Sequence, residues 1–332
     1  MLILTREEVE ALLDVDALID ALAASMLDLS TGAASMPDRN AALVPDRDGF
    51  MAAMPGFVPS AGVLMTKLVS LFPRNGETGL PTHQAVIIVF DPDTGQPTAL
   101  LDGTAITAIR TGASSALSAR LLARPDATVL AVLGTGVQAR SHARAMCRVR
   151  PIRQIRIAGR DPAKVAALAT ELAGELLDIP ALEVVATSSY AEALRGADIV
   201  AAATHSDEPV VRRDWLSPGV HVTSVGYNQV GREVDDATVA DALVCVESRQ
   251  AALAPFPAGS NDLLEPIRDG IITASHVHAE LGELLAGTRP GRSSAEQITL
   301  YKSVGVAVQD AAAAGLVITA ARDRAIGAHL TL

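Results

Sequence analysis

The chain has 332 residues, of which 49% are hydrophobic and 20% charged. That balance suits a globular protein with a core and excludes a disordered chain, which buries too little apolar surface to offset its ordering entropy. Lys and Arg number 27 against 38 Asp and Glu, a formal charge of −11, which argues against non-specific nucleic-acid or anionic-membrane partners while leaving room for a local basic pocket. Domains commonly run to about 100–200 residues, so two are expected. Aromatics are only 3%, so the core must be built from Ala, Val, Leu and Ile. Cys147 and Cys245 are too few for a disulfide framework, and no metal site is expected. Arg6, Glu7 and Glu8 interrupt the start before a signal-peptide apolar region forms. No apolar run approaches the roughly 20 residues of a membrane span, so a cytoplasmic location is expected.

Residues 5–29 predict a pair of amphipathic helices. Thr5 can cap the first, and Leu12, Leu13, Leu18, Ile19 and Leu22 recur at helical spacing. From 50 to 103, short β-branched and apolar runs alternate with Pro/Gly clusters; DPDTGQ (91–96) is a hairpin signal. A mainly antiparallel sheet with helical cover is expected there. A small-residue helix is expected over 104–123. Strands at 128–133, 154–158, 183–186, 198–203, 220–225 and 242–246 then alternate with helical segments. That order implies a doubly wound parallel sheet with right-handed crossovers. Closing helices are expected over 276–286 and 298–320. The fold class is therefore α/β: a Rossmann-type parallel sheet plus an α+β domain. The expected borders are 1–120, with 306–332 returning to it, and 121–305.

In VLAVLGTGVQARSHARAM a buried strand runs straight into Gly134-Thr135-Gly136-Val137-Gln138-Ala139, and a helix opens there. This is G-x-G-x-x-A. Gly134 permits the tight turn, Gly136 lets backbone approach a pyrophosphate, and a small third residue lets helix and strand pack closely. N–H groups at the helix start then face the phosphates. NAD sites usually place an acid at the end of the next strand, to hold the ribose hydroxyls. This chain has Arg160 there; it can pair with a 2′-phosphate. Asp161 sits one residue late, before Pro162, in the place of a helix cap. NADP(H) is the preferred cofactor, with NAD(H) the second choice.

Three cations stand out in the first half. Lys67 lies inside VLMTKLVSLF, Arg110 in a helix of Ala, Thr, Ile, Ser and Gly, and Arg39 in MPDRNAAL. Each alone reads as an ordinary solvated charge. Together, in an acidic protein, they can bind a carboxylate: Arg offers a bidentate fork, Lys a mobile point charge whose pKa falls on burial. His83 is a candidate proton donor beside them, although a lone strand histidine is more often structural. His276 and His278 read as packing residues. No G-x-S-x-G elbow is present.

At these residues the sequence resembles the ornithine cyclodeaminase/μ-crystallin family. The likeness is collinear through MPDR (36–39), TKLVSLFPRN (66–75), GLPTHQAVIIVFDPDTG (79–95), LLDGTAITAIRTGASSA (100–116), the GTGVQA turn, TSVGYNQVGREVD (223–235), AELGELLAGTRPGR (279–292) and YKSVGVAVQD (301–310). The resemblance implies a homodimer, whose first domain pairs into a shared β-structure and whose Rossmann domain holds NAD(H) or NADP(H). It implies that Arg39, Lys67 and Arg110 bind the substrate α-carboxylate and its surroundings. By the same resemblance Thr82, Val137, Gln138, Thr204, Val225 and Gly226 contact cofactor, and Ser303 and Val304 lie near nicotinamide and substrate. One departure stands out. Asn228 occupies the place where ornithine cyclodeaminases carry a catalytic Asp, and an amide cannot ionise to act as a base.

The reading is an NAD(P)H-dependent reductase of imines bearing an α-carboxylate, with cyclic ketimines such as Δ1-pyrroline-2-carboxylate or Δ1-piperideine-2-carboxylate as the leading substrates. Lys67, or a water held by Asn228 or His83, would handle the proton. The alternatives are ornithine or lysine cyclodeamination with bound NAD, alanine-type amino-acid dehydrogenation, and non-catalytic binding of NADP(H) or another ligand, as in crystallin-like relatives. Ammonia release from ornithine marks the first alternative. Tight NADPH binding without turnover marks the last.

Overall fold

A computed structural model describes residues 1–227 and 230–331. Asn228 therefore lies outside the described residues. In chain order the elements are β1 (Leu2–Leu4), α1 (Arg6–Leu12), α2 (Val15–Ser30), β2 (Asn40–Val44), β3 (Gly49–Val58), β4 (Val63–Leu71), β5 (His83–Phe90), β6 (Pro97–Asp102) and α3 (Gly103–Leu122). There follow β7 (Val129–Leu133), α4 (Val137–Val149), β8 (Gln154–Ala158), α5 (Pro162–Glu175), β9 (Glu183–Ala186), α6 (Tyr190–Leu194), β10 (Ile199–Ala202), β11 (His221–Ser224), α7 (Asp236–Asp241) and β12 (Leu243–Val246). The chain closes through α8 (Arg249–Ala252), α9 (Asn261–Arg268), β13 (Val277–Glu280), α10 (Leu281–Leu285), β14 (Thr299–Lys302), α11 (Ala307–Arg324) and β15 (Ala328–His329). Two compact units result: Met1–Arg110 with Gly305–Leu332, and Thr111–Val304.

The first unit holds a seven-stranded sheet in the order β15-β1-β6-β5-β4-β3-β2. Every pairing is antiparallel except β1 with β6. Helix α2 starts because the Asp14 side chain accepts from Ala17 N at 2.8 Å, satisfying one of the donors that a helix start leaves open. Its Leu18, Ile19, Leu22 and Met26 form one buried face, and it packs against α11. Thr5 and Glu8 make a reciprocal capping box on α1. Along β4, alternation buries Val63, Met65, Lys67 and Val69 on one face. A lysine thus occupies a core position in a strand. The register sets it opposite Met54 of β3 and Ile87 of β5.

The second unit holds eight strands, all parallel, in the order β13-β12-β14-β11-β10-β7-β8-β9. Its core is aliphatic, with Leu133, Val200, Val222, Val244 and Leu300 at 0% exposure. This is the expected α/β class. Two expected helices are corrected. Residues 276–286 begin with strand β13, and 298–320 begin with strand β14, which lies between β11 and β12. All four β14 residues are buried, so no polar–apolar alternation marks them as strand. The Ala-rich stretch at 311–321 is the body of α11. No helix among the described residues is long and apolar enough to cross a membrane.

Candidate active site

In the first unit two of the three predicted cations converge on a residue that the sequence reading passed over. Lys67 Nζ donates to Asp310 Oδ2 at 2.7 Å, and Arg110 Nε donates to Asp310 Oδ1 at 3.2 Å. Arg110 Nη1 also donates to Gln309 Oε1 at 2.8 Å. Lys67 is 1% exposed and Asp310 0%. A buried carboxylate thus carries two cations, leaving one positive charge in excess. Arg39 Nη2 donates to the Gly305 carbonyl at 2.7 Å. Gly305 has φ +72°, and a Cβ there would sit 3.0 Å from Arg110 Nη2. Gly305 thus accepts Arg39 at its carbonyl, while its left-handed φ and the adjacent Arg110 guanidinium favour glycine there.

Burial is the main force on Lys67, and it lowers the ammonium to about 8; Asp310 opposes the shift, while Arg110 and Arg39 add to it. Burial alone would raise the Asp310 carboxyl, but Lys67 and Arg110 more than offset it and hold it below its usual value. His83 is pushed down to about 4, first by burial and then by the Lys67 and Arg110 charges. Its imidazole is neutral at pH 7. Thr82 is exposed on the preceding loop, and its carbonyl accepts from Phe72 N at 2.8 Å.

In the second unit β7 runs into Gly134, whose φ is +113°. A Cβ there would lie 2.4 Å from the Ala203 carbonyl oxygen, so this turn accepts glycine alone. Gly136 is the N-cap of α4; it makes no side-chain cap, and a Cβ on it would meet nothing within 4 Å. Uncapped N–H groups and open space in front of them suit a pyrophosphate. Ala139 is fully buried against the sheet, while Val137 is 60% exposed. The Gln138 Oε1 is buried with no partner, an acceptor left for a ligand. These residues fit a dinucleotide. Arg160 is exposed just beyond β8. Asp161 is committed elsewhere: its side chain accepts from Ala163 N and Lys164 N and caps α5.

Thr204, Val225, Gly226, Ser303 and Val304 stand just beyond the C-terminal ends of β10, β11 and β14. Thr204 N and Oγ1 both donate to Glu233 Oε1, at 2.6 and 2.8 Å. Ser303 Oγ donates to Glu247 Oε1 at 2.5 Å. Val225, Gly226, Asp262, Lys302, Ser303 and Val304 line a pocket. The sequence reading missed Asp310, Glu233, Glu247, Asp262 and Lys302. An acid just ahead of the Ala-rich stretch of α11 and a lysine ending a buried strand were the available signals.

A dinucleotide-type parallel sheet, its glycine turn and a buried cation cluster define the class: an NAD(P)-dependent oxidoreductase. The chain belongs to the ornithine cyclodeaminase/mu-crystallin family, whose sequence profile matches residues 1–325. It is 34% identical over 304 residues to the mouse (Mus musculus) ketimine reductase mu-crystallin, covering 90% of each chain. The solved Thermococcus litoralis Δ1-pyrroline-2-carboxylate reductase, in complex with NADH and L-proline, superposes with a TM-score of 0.94 at 36% identity, over 99% of this chain and 100% of that one. An archaeal alanine dehydrogenase dimer with bound NAD gives 0.90 at 30% identity, over 100% and 99%.

Proposed function

We propose that the protein reduces a cyclic imine bearing an α-carboxylate, of the Δ1-pyrroline-2-carboxylate or Δ1-piperideine-2-carboxylate type, to the corresponding amino acid. The observation that carries this reading is the buried Lys67–Asp310–Arg110 cluster with its positive excess. A substrate carboxylate balances that excess and accepts the guanidinium forks of Arg110 and Arg39. Lys67, held near 8, is mostly protonated at pH 7 and hands its proton to the imine nitrogen. His83, neutral at that pH, orients the substrate or a water by hydrogen bonding. A bound nicotinamide dinucleotide would supply the hydride. The protein's main contribution is then orientation and charge placement. Asn228 cannot serve as a base, which speaks against cyclodeamination of a diamino acid.

The first unit is read as the substrate-binding and dimerisation domain, and the second as the cofactor domain. Gly134, Gly136, Val137 and Gln138 take the pyrophosphate. Thr204, Val225, Gly226, Ser303 and Val304 take the nicotinamide half. Arg160 takes a 2′-phosphate, so NADP(H) is preferred over NAD(H). The likeness to the alanine dehydrogenase dimer supports a homodimer and keeps reversible amino-acid dehydrogenation as the second reading. The test follows oxidation of NADPH and NADH in parallel with cyclic imino acids, with pyruvate plus ammonia, and with keto acid–amine pairs. Fastest turnover on a cyclic imino acid is expected. Turnover confined to pyruvate plus ammonia selects the second reading, and ammonia release from ornithine overturns both.

A further inference from the structure

At the C-terminal edge of the parallel sheet lies a buried ionic network that the reaction above does not use. Glu233 is 2% exposed. Its Oε1 accepts from Thr204 N and Oγ1, and its Oε2 accepts from Ser224 Oγ and Gly226 N, both at 2.7 Å. All four donors are uncharged. Lys302, 1% exposed, donates to Ser224 Oγ at 2.9 Å and to the Gly226 carbonyl at 2.9 Å. It pairs with Asp262 Oδ2 at 2.9 Å. The Asp262 Oδ1 in turn accepts from Glu233 N and Val234 N, both at 2.8 Å. Gly226 is thus gripped at its N–H by an acid and at its carbonyl by a base. A Cβ on it would lie 2.6 Å from Glu233 Oε1.

The sheet order puts this network at the strand ends that a bound dinucleotide would cover. The glycine turn follows β7, and β8, which ends before Arg160, lies to one side of it. With the adenosine half over that side, the nicotinamide half extends the other way, over the ends of β10, β11 and β14. Ser224 and Lys302 end two of these strands. A dinucleotide bound in this way would put its nicotinamide half over the network, which holds two carboxylates against one ammonium.

We infer that Glu233, Asp262 and Lys302 are positioning residues that hold the Gly226 peptide and, through their net negative charge, make the site prefer the oxidised, cationic nicotinamide to the reduced, neutral one. The inference rests on the dinucleotide reading above. In a reductive cycle the oxidised product is then the tighter ligand, and its release slows turnover. A purely structural network would affect both redox forms alike, whereas a charge effect separates them.

The test is the ratio of dissociation constants for oxidised and reduced cofactor, measured by calorimetry for NADP+ and NAD+ and by fluorescence for NADPH and NADH. Glu233→Gln removes a negative charge. It is expected to weaken the oxidised form about tenfold more than the reduced one, the effect of one charge across a partly buried site. Lys302→Gln removes the positive charge and is expected to shift the ratio the opposite way. Ser224→Ala keeps every charge and is expected to move both forms together. Circular dichroism verifies folding, and either charge variant alone gives a signed result. Equal shifts for the two forms, or the same sign in both charge variants, overturn the electrostatic role while leaving dinucleotide binding intact. Wild-type protein that binds no dinucleotide overturns the underlying reading as well.

Discussion

The two units solve opposite electrostatic problems with the same device. In the first, one carboxylate, Asp310, is shared by Lys67 and Arg110. In the second, one ammonium, Lys302, stands by Asp262 and near Glu233. The first cluster carries a positive excess suited to an anion, the second a negative excess suited to a cation. Removing ions from water costs several kcal/mol each unless partners and hydrogen bonds offset it. A residual charge in a buried network is therefore costly, and it is most simply understood as placed for a ligand of opposite sign. The overall charge of −11 predicts neither, because the sign of a site is set by the few groups inside it.

The contrast can be broken most sharply at Lys67. Lys67→Met removes the proposed proton donor and the positive excess of the Lys67–Asp310–Arg110 cluster. Its kcat/KM is expected to fall by about 10³-fold, within the usual range for loss of a general acid. Dinucleotide binding, a property of the other unit, should stay unchanged in a fluorescence titration. Loss of both would show that the two sites are not separate in function, and loss of neither would remove Lys67 from the chemistry.

Asp310→Asn is the next largest change. It leaves two buried cations without their carboxylate, and an unfolding titration should show a loss of about 3–5 kcal/mol, the usual cost of breaking a buried pair. It also carries a pH signature. Lys67 sits at about 8 with Asp310 raising it, so wild-type reduction should decline as pH rises through about 8 and the donor loses its proton. Without Asp310 that support is gone, and the alkaline limb should move to lower pH. A limb that stays in place would mean the titrating group is not Lys67.

The smallest expected effect is at Arg160. Arg160→Asp replaces the proposed 2′-phosphate partner by a side chain that suits free ribose hydroxyls. The NADPH-to-NADH ratio of kcat/KM should fall about tenfold, the worth of one charge-assisted hydrogen bond on a solvent-facing side chain. An unchanged ratio would remove Arg160 from cofactor selection and leave the charge contrast untouched.

Most of the parallel sheet was legible because β7, β8, β10 and β11 are short apolar runs spaced by helical segments, a pattern with few physical alternatives. The glycine turn was legible because φ +113° at Gly134 restricts the residue type itself. Strand β14 was not, since a fully buried strand shows no alternation and runs into α11 after a few residues. Strand β13 was hidden by the leucines of α10 that follow it. Among site groups, the cations were visible as charges in apolar surroundings. Their counterion was not: an acid in the first turn of a helix is ordinarily read as solvated and favourable to the helix dipole. Glu233 was equally silent, because backbone N–H groups and small hydroxyls are its partners, and every sequence has those.

The chain supplies the parts of the first unit in a telling order. Lys67 and Arg110 belong to its opening third, yet Gly305, Gln309 and Asp310 come some two hundred residues later, and β15 closes onto β1 later still. During synthesis, domains generally fold as units in the order they emerge. Every residue of the parallel-sheet unit is made before Gly305 is added, whereas the earlier-made sheet still lacks the carboxylate that pairs with Lys67. The earlier-made of the two units is thus the later to be finished, and its buried ion cluster forms only once α11 has been delivered.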